Sequence, residues 1–424
     1  MKLVTPKASV WILAGLLILF VVQALLADLY PLKNIYCFFN EGVMAFTELD
    51  DINSGMRYCG GGSNQMGSWV WAGILKLVTW FISSRAISLR LVSIVATVCS
   101  LLILFCLARR LYSPPVGLVF IFLLVTSPIY VESMRAWGWT AFCHLIVVAA
   151  AFTVVCSLNH RRVTAKIFLL AFICYLTFSL YVVTRLAIFM PLLFFGFYFR
   201  REWRKLSLFL FFLAAMIIGV DVVSADGWFD VRGFFTCSTR GSLVADEWLF
   251  GDGAAALEDR LKLNLGLAGS YLFGLARESF ADKNWHSRLF NELYVPFLII
   301  GIPALLKGRS RSRILLLIWL ALFFILPLAT FRIEPRRILF GIYPIYLIIA
   351  LGIRYLYRFL VKVPILTEHR KGLAGLLLSG LLLVGAVDVH DFFANVARPD
   401  YAYSREQLEI LADQVVELGR RADL

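Results

Sequence analysis

Charge is what this sequence has least of. Only 16% of its 424 residues are Asp, Glu, Lys or Arg, where soluble domains carry about a quarter. That is too little to solvate the surface of a soluble fold of this size, and 60% of the residues are hydrophobic. Several chemical signatures are missing as well. No tract follows the Walker or Rossmann glycine pattern, so neither phosphate cradle is legible. No His/Cys cluster has zinc spacing, no Ser/His/Asp arrangement can be picked out, and there is neither an internal repeat nor a low-complexity tract.

What the sequence does have is long apolar runs, enough of them to cross a hydrocarbon core of about 30 Å repeatedly. They predict an all-α polytopic membrane protein with about eleven transmembrane helices: Val10 to Ala27, Leu89 to Ala108, Val116 to Val131, Gly138 to Leu158, Ile167 to Val183, Leu186 to Tyr198, Leu206 to Val223, Tyr294 to Leu306, Ile314 to Thr330, Ile338 to Ile353 and Leu373 to Val389. The first run follows Lys2 and Lys7 without a small-residue cleavage site, so it reads as a retained anchor.

The net charge of +13 does not point to nucleic acid, because the basic residues mark one membrane face. The amino terminus and every second connection together carry 20 Lys/Arg and 2 acids, leaving 21 Lys/Arg and 26 acids elsewhere. The positive-inside rule then puts the amino terminus in the cytoplasm and the carboxyl terminus outside. The expected location is the plasma membrane, the inner membrane in a bacterium, with the active face periplasmic or extracellular.

Two connections are long, 28–88 and 224–291, and both fall outside. Long loops on a rigid scaffold are where function lodges. The first ends in WVWAGILKLVTWF, whose Trp69, Trp71 and Trp80 around Lys76 suit a helix lying in the interface; the other reading is a twelfth span. Cys37 and Cys59 share this loop and either form a disulfide, which an oxidising compartment allows, or stay free. The second loop carries Trp228, Trp248, Trp285, the acids Asp226, Asp230, Asp246, Glu247, Asp252, Glu258 and Asp259, and His286 and should fold as a cap. Residues 1–389 thus form one transmembrane domain. Residues 390–424 form an outside tail, where Leu408, Leu411, Ala412, Val415 and Leu418 recur at helical spacing behind a possible capping box from Ser404 to Gln407, marking a short amphipathic helix.

Three groups of ionisable residues sit at the outer boundary: Asn40, Glu41, Glu48, Asp50 and Asp51; Glu132 and Arg135 in PIYVESMRAWGW; and Arg332, Glu334, Arg336 and Arg337 in FRIEPRRILFGIYP. Arginines in an outside turn run against the charge bias, and a bound phosphate would compensate for them, since guanidinium offers planar paired donors. Anchoring to lipid headgroups is the alternative. A boundary carboxylate such as Glu41 or Glu132 is partly desolvated, which suits a general base; a structural ion pair, Glu132 with Arg135, is the alternative. The acids of the first loop could supply oxygen ligands to a divalent metal, but no spacing is diagnostic, so no metal site and no cofactor is assigned. His144 and Asp221 within spans read as packed or paired residues.

The order of these features resembles the GT-C superfamily of polytopic glycosyltransferases: a first span, an acid motif soon after, an interfacial aromatic helix, the run SRAISLRLVSIVATVCSLLILFCLARRLYSPPVGLVFIFLLVTSPIYVESMRAWGWTAF, and a late R-x-x-x-R-R before a Pro-containing span. Within it the resemblance is to protein O-mannosyltransferases and lipid A aminoarabinose transferases, best over about residues 28 to 145 and again near 332 to 352. It implies a sugar donor carried on a polyprenyl phosphate and an acidic pair opening the first outside loop. That place reads Asn40-Glu41 here, so one carboxylate of the pair is absent. It also implies an Arg after the acidic position of the turn following the third span, as Glu132 and Arg135 supply.

Two functions follow. One is transfer of the sugar to a hydroxyl of a glycolipid or protein, with Glu41 as base, Glu132 second, and Asn40, Arg135, Arg332, Arg336 and Arg337 binding substrate and phosphate. The other is transport or flipping of lipid-linked sugars, for which polar residues along a midplane path would be expected. The topology is directly testable. In sealed right-side-out vesicles, a membrane-impermeant maleimide should label a cysteine placed at Ala255 and not one placed at Ser310; the reverse pattern inverts the assignment.

Overall fold

In lipid a segment must satisfy its own backbone hydrogen bonds, which leaves the helix as the local solution for apolar runs. The computed structural model of the chain describes residues 5–28, 85–136, 138–158, 162–178, 182–223, 291–307, 310–326, 339–364 and 369–396, with scattered positions at 74, 77–78, 80–82, 259, 262 and 264–266. Among the described residues there is no strand.

The helices are α1 (Pro6–Asp28), α2 (Arg85–Leu111), α3 (Pro114–Thr126), α4 (Pro128–Ala136), α5 (Gly138–Ser157), α6 (Val163–Phe178), α7 (Phe189–Phe197), α8 (Phe199–Val223), α9 (Val295–Leu306), α10 (Ser310–Leu320), α11 (Ile342–Leu360) and α12 (Arg370–Val396). Five stretches are long and apolar enough to cross a membrane on their own, Lys7–Leu26, Arg90–Leu111, Thr140–Ser157, Leu339–Leu360 and Lys371–Ala394, and shorter apolar helices lie between them. The chain is an all-α, multi-pass membrane protein, and each of the eleven expected spans corresponds to helix.

Their boundaries differ in instructive ways. The expected span to Val131 stops at Thr126. Ser127 turns extended, at φ −70° and ψ 117°, because the Pro128 ring disfavours helical geometry in the residue before it; the chain then restarts as α4. The helix expected to reach Val183 ends at Phe178, and the next span begins as a 3-10 turn, Val182–Ile188, before α7. Helix α10 continues through a π-helical turn, Ala321–Ile325. Of the interfacial segment, Ile74, Leu77 and Val78 are helical, and Trp80 and Phe81 are exposed.

The core is assembled from α2 on α5 and α3, α5 on α6, α6 on α8, and α9 on α11, with α3 also touching α1, α11 and α12. The α9–α11 contact is the tightest. A Cβ on Gly301 would meet the Ile348 carbonyl oxygen, and one on Gly352 would meet the Phe297 carbonyl oxygen. Backbone lies on backbone there, as small residues permit between membrane helices.

Polar contacts sort the helix ends into two sets. At one, here the basic end, Glu202 pairs with Lys205 at 2.5 Å and with Arg311 at 3.5 Å, and Arg110 Nη1 donates to the Cys156 sulfur at 3.2 Å. At the other, Gln23 Nε2 donates to the Val125 carbonyl at 3.2 Å and Asn291 Nδ2 to Asp388 at 2.9 Å. Segments that the charge pattern assigns to one face meet one another at one end. Replacing Gly352 with Val should destabilise the protein by about 3 kcal/mol, since overpacking against rigid backbone sits at the upper end of such effects; thermal melting in detergent reads it, and an unchanged midpoint refutes the close approach.

Candidate functional site

The described part of the candidate site begins where α3 breaks. Pro128 opens the short helix α4, in which Ile129, Tyr130, Val131, Ser133 and Met134 are buried. At 3.6 residues per turn these positions occupy one broad side, and positions 132 and 135, three apart, fall together on the arc that remains. Glu132 and Arg135 therefore share a face of α4. Ser133 Oγ donates to the Ile129 carbonyl at 2.5 Å, within the helix, and α4 packs against α1, α2, α3, α5 and α12.

Directly beneath lies an aromatic cluster. His144 on α5 is fully buried; its Nδ1 shares a hydrogen bond with the Tyr343 hydroxyl of α11 at 2.6 Å, and its ring stacks on Phe340 with centroids 4.0 Å apart at 7°. Tyr343 in turn meets Tyr130 edge-on at 6.2 Å and Trp319 at 5.7 Å. Trp319 Nε1 donates to the Phe340 carbonyl at 3.0 Å. Gly341 allows this turn to close, because a Cβ there would stand 2.9 Å from the Phe323 carbonyl oxygen. The cluster joins the helices that flank two connections, the turn between α3 and α5 and residues 327–338 between α10 and α11.

Of the residues singled out from the sequence, Glu132 and Arg135 lie on α4, and their backbone positions are described. Asn40, Glu41, Glu48, Asp50, Asp51, Arg332, Glu334, Arg336 and Arg337 lie outside the described residues, as do Cys37, Cys59 and the tail from 397 on. Among the described residues no group of three or more His, Cys, Asp and Glu comes together. His144 is both packed and paired, as a histidine within a span was expected to be. Asp221 lies on α8.

Sequence reading missed a second polar group at the same end. Asp388, near the end of α12 and buried, accepts from Asn291 Nδ2 at 2.9 Å and from the Tyr294 hydroxyl at 3.4 Å. An aspartate inside the apolar run GAVDVH was the available signal, since such residues in spans seldom lack a partner.

The profile of the family described as dolichyl-phosphate-mannose-protein mannosyltransferase matches residues 65–226, a stretch that contains α4. Among solved structures, ArnT from Cupriavidus metallidurans bound to undecaprenyl phosphate superposes with a TM-score of 0.56 at 12% identity, covering 90% of this chain and 76% of that one. The apo oligosaccharyltransferase of Archaeoglobus fulgidus superposes with a TM-score of 0.58 at 13% identity, covering 95% of this chain and 57% of that one. The chain has the GT-C glycosyltransferase fold. It spans little more than half of the archaeal GT-C protein, and no curated protein matches it by sequence. Within this GT-C fold the Asp388 pin ties α12 to the turn that leads into α9. Asp388→Ala strands two buried donors and should cost about 2 kcal/mol of stability, with Asp388→Asn costing less; equal melting temperatures for all three proteins would refute the pin.

Proposed function

We propose that this chain is a membrane glycosyltransferase that moves a sugar from a polyprenyl-phosphate donor to an acceptor hydroxyl, on a glycolipid or a protein, at the outward face of the plasma membrane. The observation that carries the reading is the joining of α5 to α11 by His144 and Tyr343. It joins α5, the helix that follows Glu132 and Arg135 in the chain, to α11, the helix that follows Arg332, Arg336 and Arg337 in the chain. Displacement of a lipid phosphate needs a carboxylate and guanidinium groups together, and the connections that carry Glu132, Arg135 and the late arginines supply those residue types. The undecaprenyl phosphate held by the ArnT structure and the dolichyl phosphate in the matching family's description support a lipid-linked donor.

In the proposed reaction the acceptor oxygen attacks the anomeric carbon while the bond from that carbon to the phosphate oxygen breaks. The hydroxyl proton passes to Glu41, with Glu132 as the second candidate. The departing phosphate keeps the electron pair, and Arg135, Arg332, Arg336 and Arg337 stabilise its charge as fixed donors in a water-poor site, with Asn40 binding substrate. Attack opposite the leaving group inverts the anomeric configuration.

The experiment is reconstitution in lipid nanodiscs with polyprenyl-phosphate sugars and envelope glycolipid or peptide acceptors, read by mass spectrometry and by the anomeric configuration of the product. Glu41→Gln should lower kcat by about a hundredfold or more, the usual contribution of a general base, at unchanged expression. Full transfer by Glu41→Gln removes Glu41 as the base. Lipid-linked sugar that crosses a liposome bilayer with no acceptor modified would instead identify a transporter.

A further inference from the structure

The basic end of the bundle carries two clusters of cations, and they differ in how their charge is met. In the first, Glu202 faces both Lys205 and Arg311. The second lies where α9 and α11 end. Lys307, the residue after α9, places its Nζ 3.5 Å from the Tyr355 hydroxyl and 5.7 Å from the centre of the Tyr355 ring. Tyr355 belongs to α11, as do Arg354, Arg358 and Phe359. At 3.6 residues per turn these four positions form one continuous arc. Among the described residues no carboxylate pairs with Lys307, Arg354 or Arg358.

The ends of two helices attract cations, but that attraction is already met in part at α9. Arg313 Nη1 donates to the Leu306 carbonyl at 2.8 Å, which serves the last turn of α9 before Lys307 is counted. Two guanidinium groups four residues apart on one helix repel each other, and the end of α9 brings a third cation to the same arc. The helices cannot separate to relieve this, because Gly301 and Gly352 set backbone against backbone between them. Positive charge held together in this way favours a bound anion.

The surface next to the cations indicates which kind of anion. Ile299, Ile302 and Leu306 on α9 are exposed and recur at steps of three and four, so they form a stripe that runs along the helix toward Lys307. Phe359 is exposed beside Arg358. In a membrane-spanning bundle such a stripe faces acyl chains. A phosphate that carries acyl chains matches both features, the cations and the apolar track that leads to them.

We propose that the adjoining ends of α9 and α11 form a binding site for an anionic phospholipid. Lys307, Arg354 and Arg358 hold its phosphate, and an acyl chain lies along Ile299, Ile302 and Leu306. Basic pockets between membrane helices bind anionic headgroups in this manner, each cation near the headgroup adding about fivefold to affinity. The site is at the end of the bundle away from α4, and it does not depend on the glycosyl-transfer reading.

The test titrates the full chain in detergent with phosphatidylglycerol and counts bound lipid by native mass spectrometry. The wild type should take up a first lipid saturably and bind phosphatidylcholine about tenfold more weakly or worse. Replacing all three cations, by Lys307→Gln, Arg354→Gln and Arg358→Gln together, should weaken phosphatidylglycerol binding by about a hundredfold, three steps of about fivefold. An equal loss of charge elsewhere at the same end, by Arg200→Gln, Arg201→Gln and Arg204→Gln together, should change it by less than about threefold. Should the first triple variant fail to fold, Arg358→Gln is read in its place: it should lose about fivefold, while Arg358→Lys keeps the charge and the affinity. Equal losses in the two triple variants, or equal losses in Arg358→Gln and Arg358→Lys, overturn the proposal. So does a wild type that binds the two lipids alike. Inorganic phosphate that raises the melting temperature as far as phosphatidylglycerol does, at matched ionic strength, would make this a site for free anions and overturn the lipid assignment.

Discussion

Hydrocarbon offers no partner to a hydrogen-bonding group, and that constraint sorts the buried polar side chains of this protein into two kinds. Most bond back to their own helix: Thr97 to the Ser93 carbonyl, Ser100 to Ala96, Thr153 to Ala149 and Ser157 to Val154. These are satisfied as soon as the helix forms and say nothing about its neighbours. A few reach across to another helix: Gln23, His144, Trp319, Tyr294 and Asn291. Each of these depends on the bundle being assembled, and each lies toward the end where α4 sits.

The opposite end is organised by charge. Glu202, buried between Lys205 and Arg311, fastens the start of α8 to the start of α10, and Arg311 also lies over the Tyr198 ring at 5.8 Å. Removing the carboxylate would leave Lys205 buried without its counter-charge, a larger penalty than the pair's own net attraction. Between the two ends the glycine contact of α9 and α11 keeps the helices from sliding. The start of α11, with Phe340 and Tyr343, is thus carried on a rigid two-helix unit rather than on a single mobile span.

Much of the architecture was legible because lipid imposes a simple code. Length and hydropathy located the helices, and the alternation of basic connections predicted which ends meet. What escaped depended on local chemistry or on distance in the chain. Pro128 splits a continuous apolar run, and hydropathy does not register the extended Ser127. Tyr343 becomes the partner of His144 only once α5 and α11 lie side by side, and no spacing in a single sequence encodes that. Asp388 looked like part of a helix end because the span boundary was placed at Val389; the helix runs on to Val396, which puts the carboxyl group among buried neighbours. The candidate site was legible as residue types at boundaries. Its geometry is described for the α4 positions 132 and 135 and for the aromatic floor beneath, not for Glu41 or the late arginines.

Asp388 also bears on how such a bundle is made. Helix α12 leaves the ribosome after every other described span, and a carboxyl group in an inserting segment opposes its entry into the bilayer, by about 2.5–3.5 kcal/mol at the centre and less toward the ends. Asn291 and Tyr294 belong to a helix synthesised earlier, so their donors precede the acceptor into the membrane. Most of α12 turns its leucines to lipid, with Leu376, Leu378, Leu382 and Leu383 exposed. Capture of one aspartate, together with the fit of Gly385 against Phe122, is then what holds to the bundle a helix whose other faces gain little from protein contact.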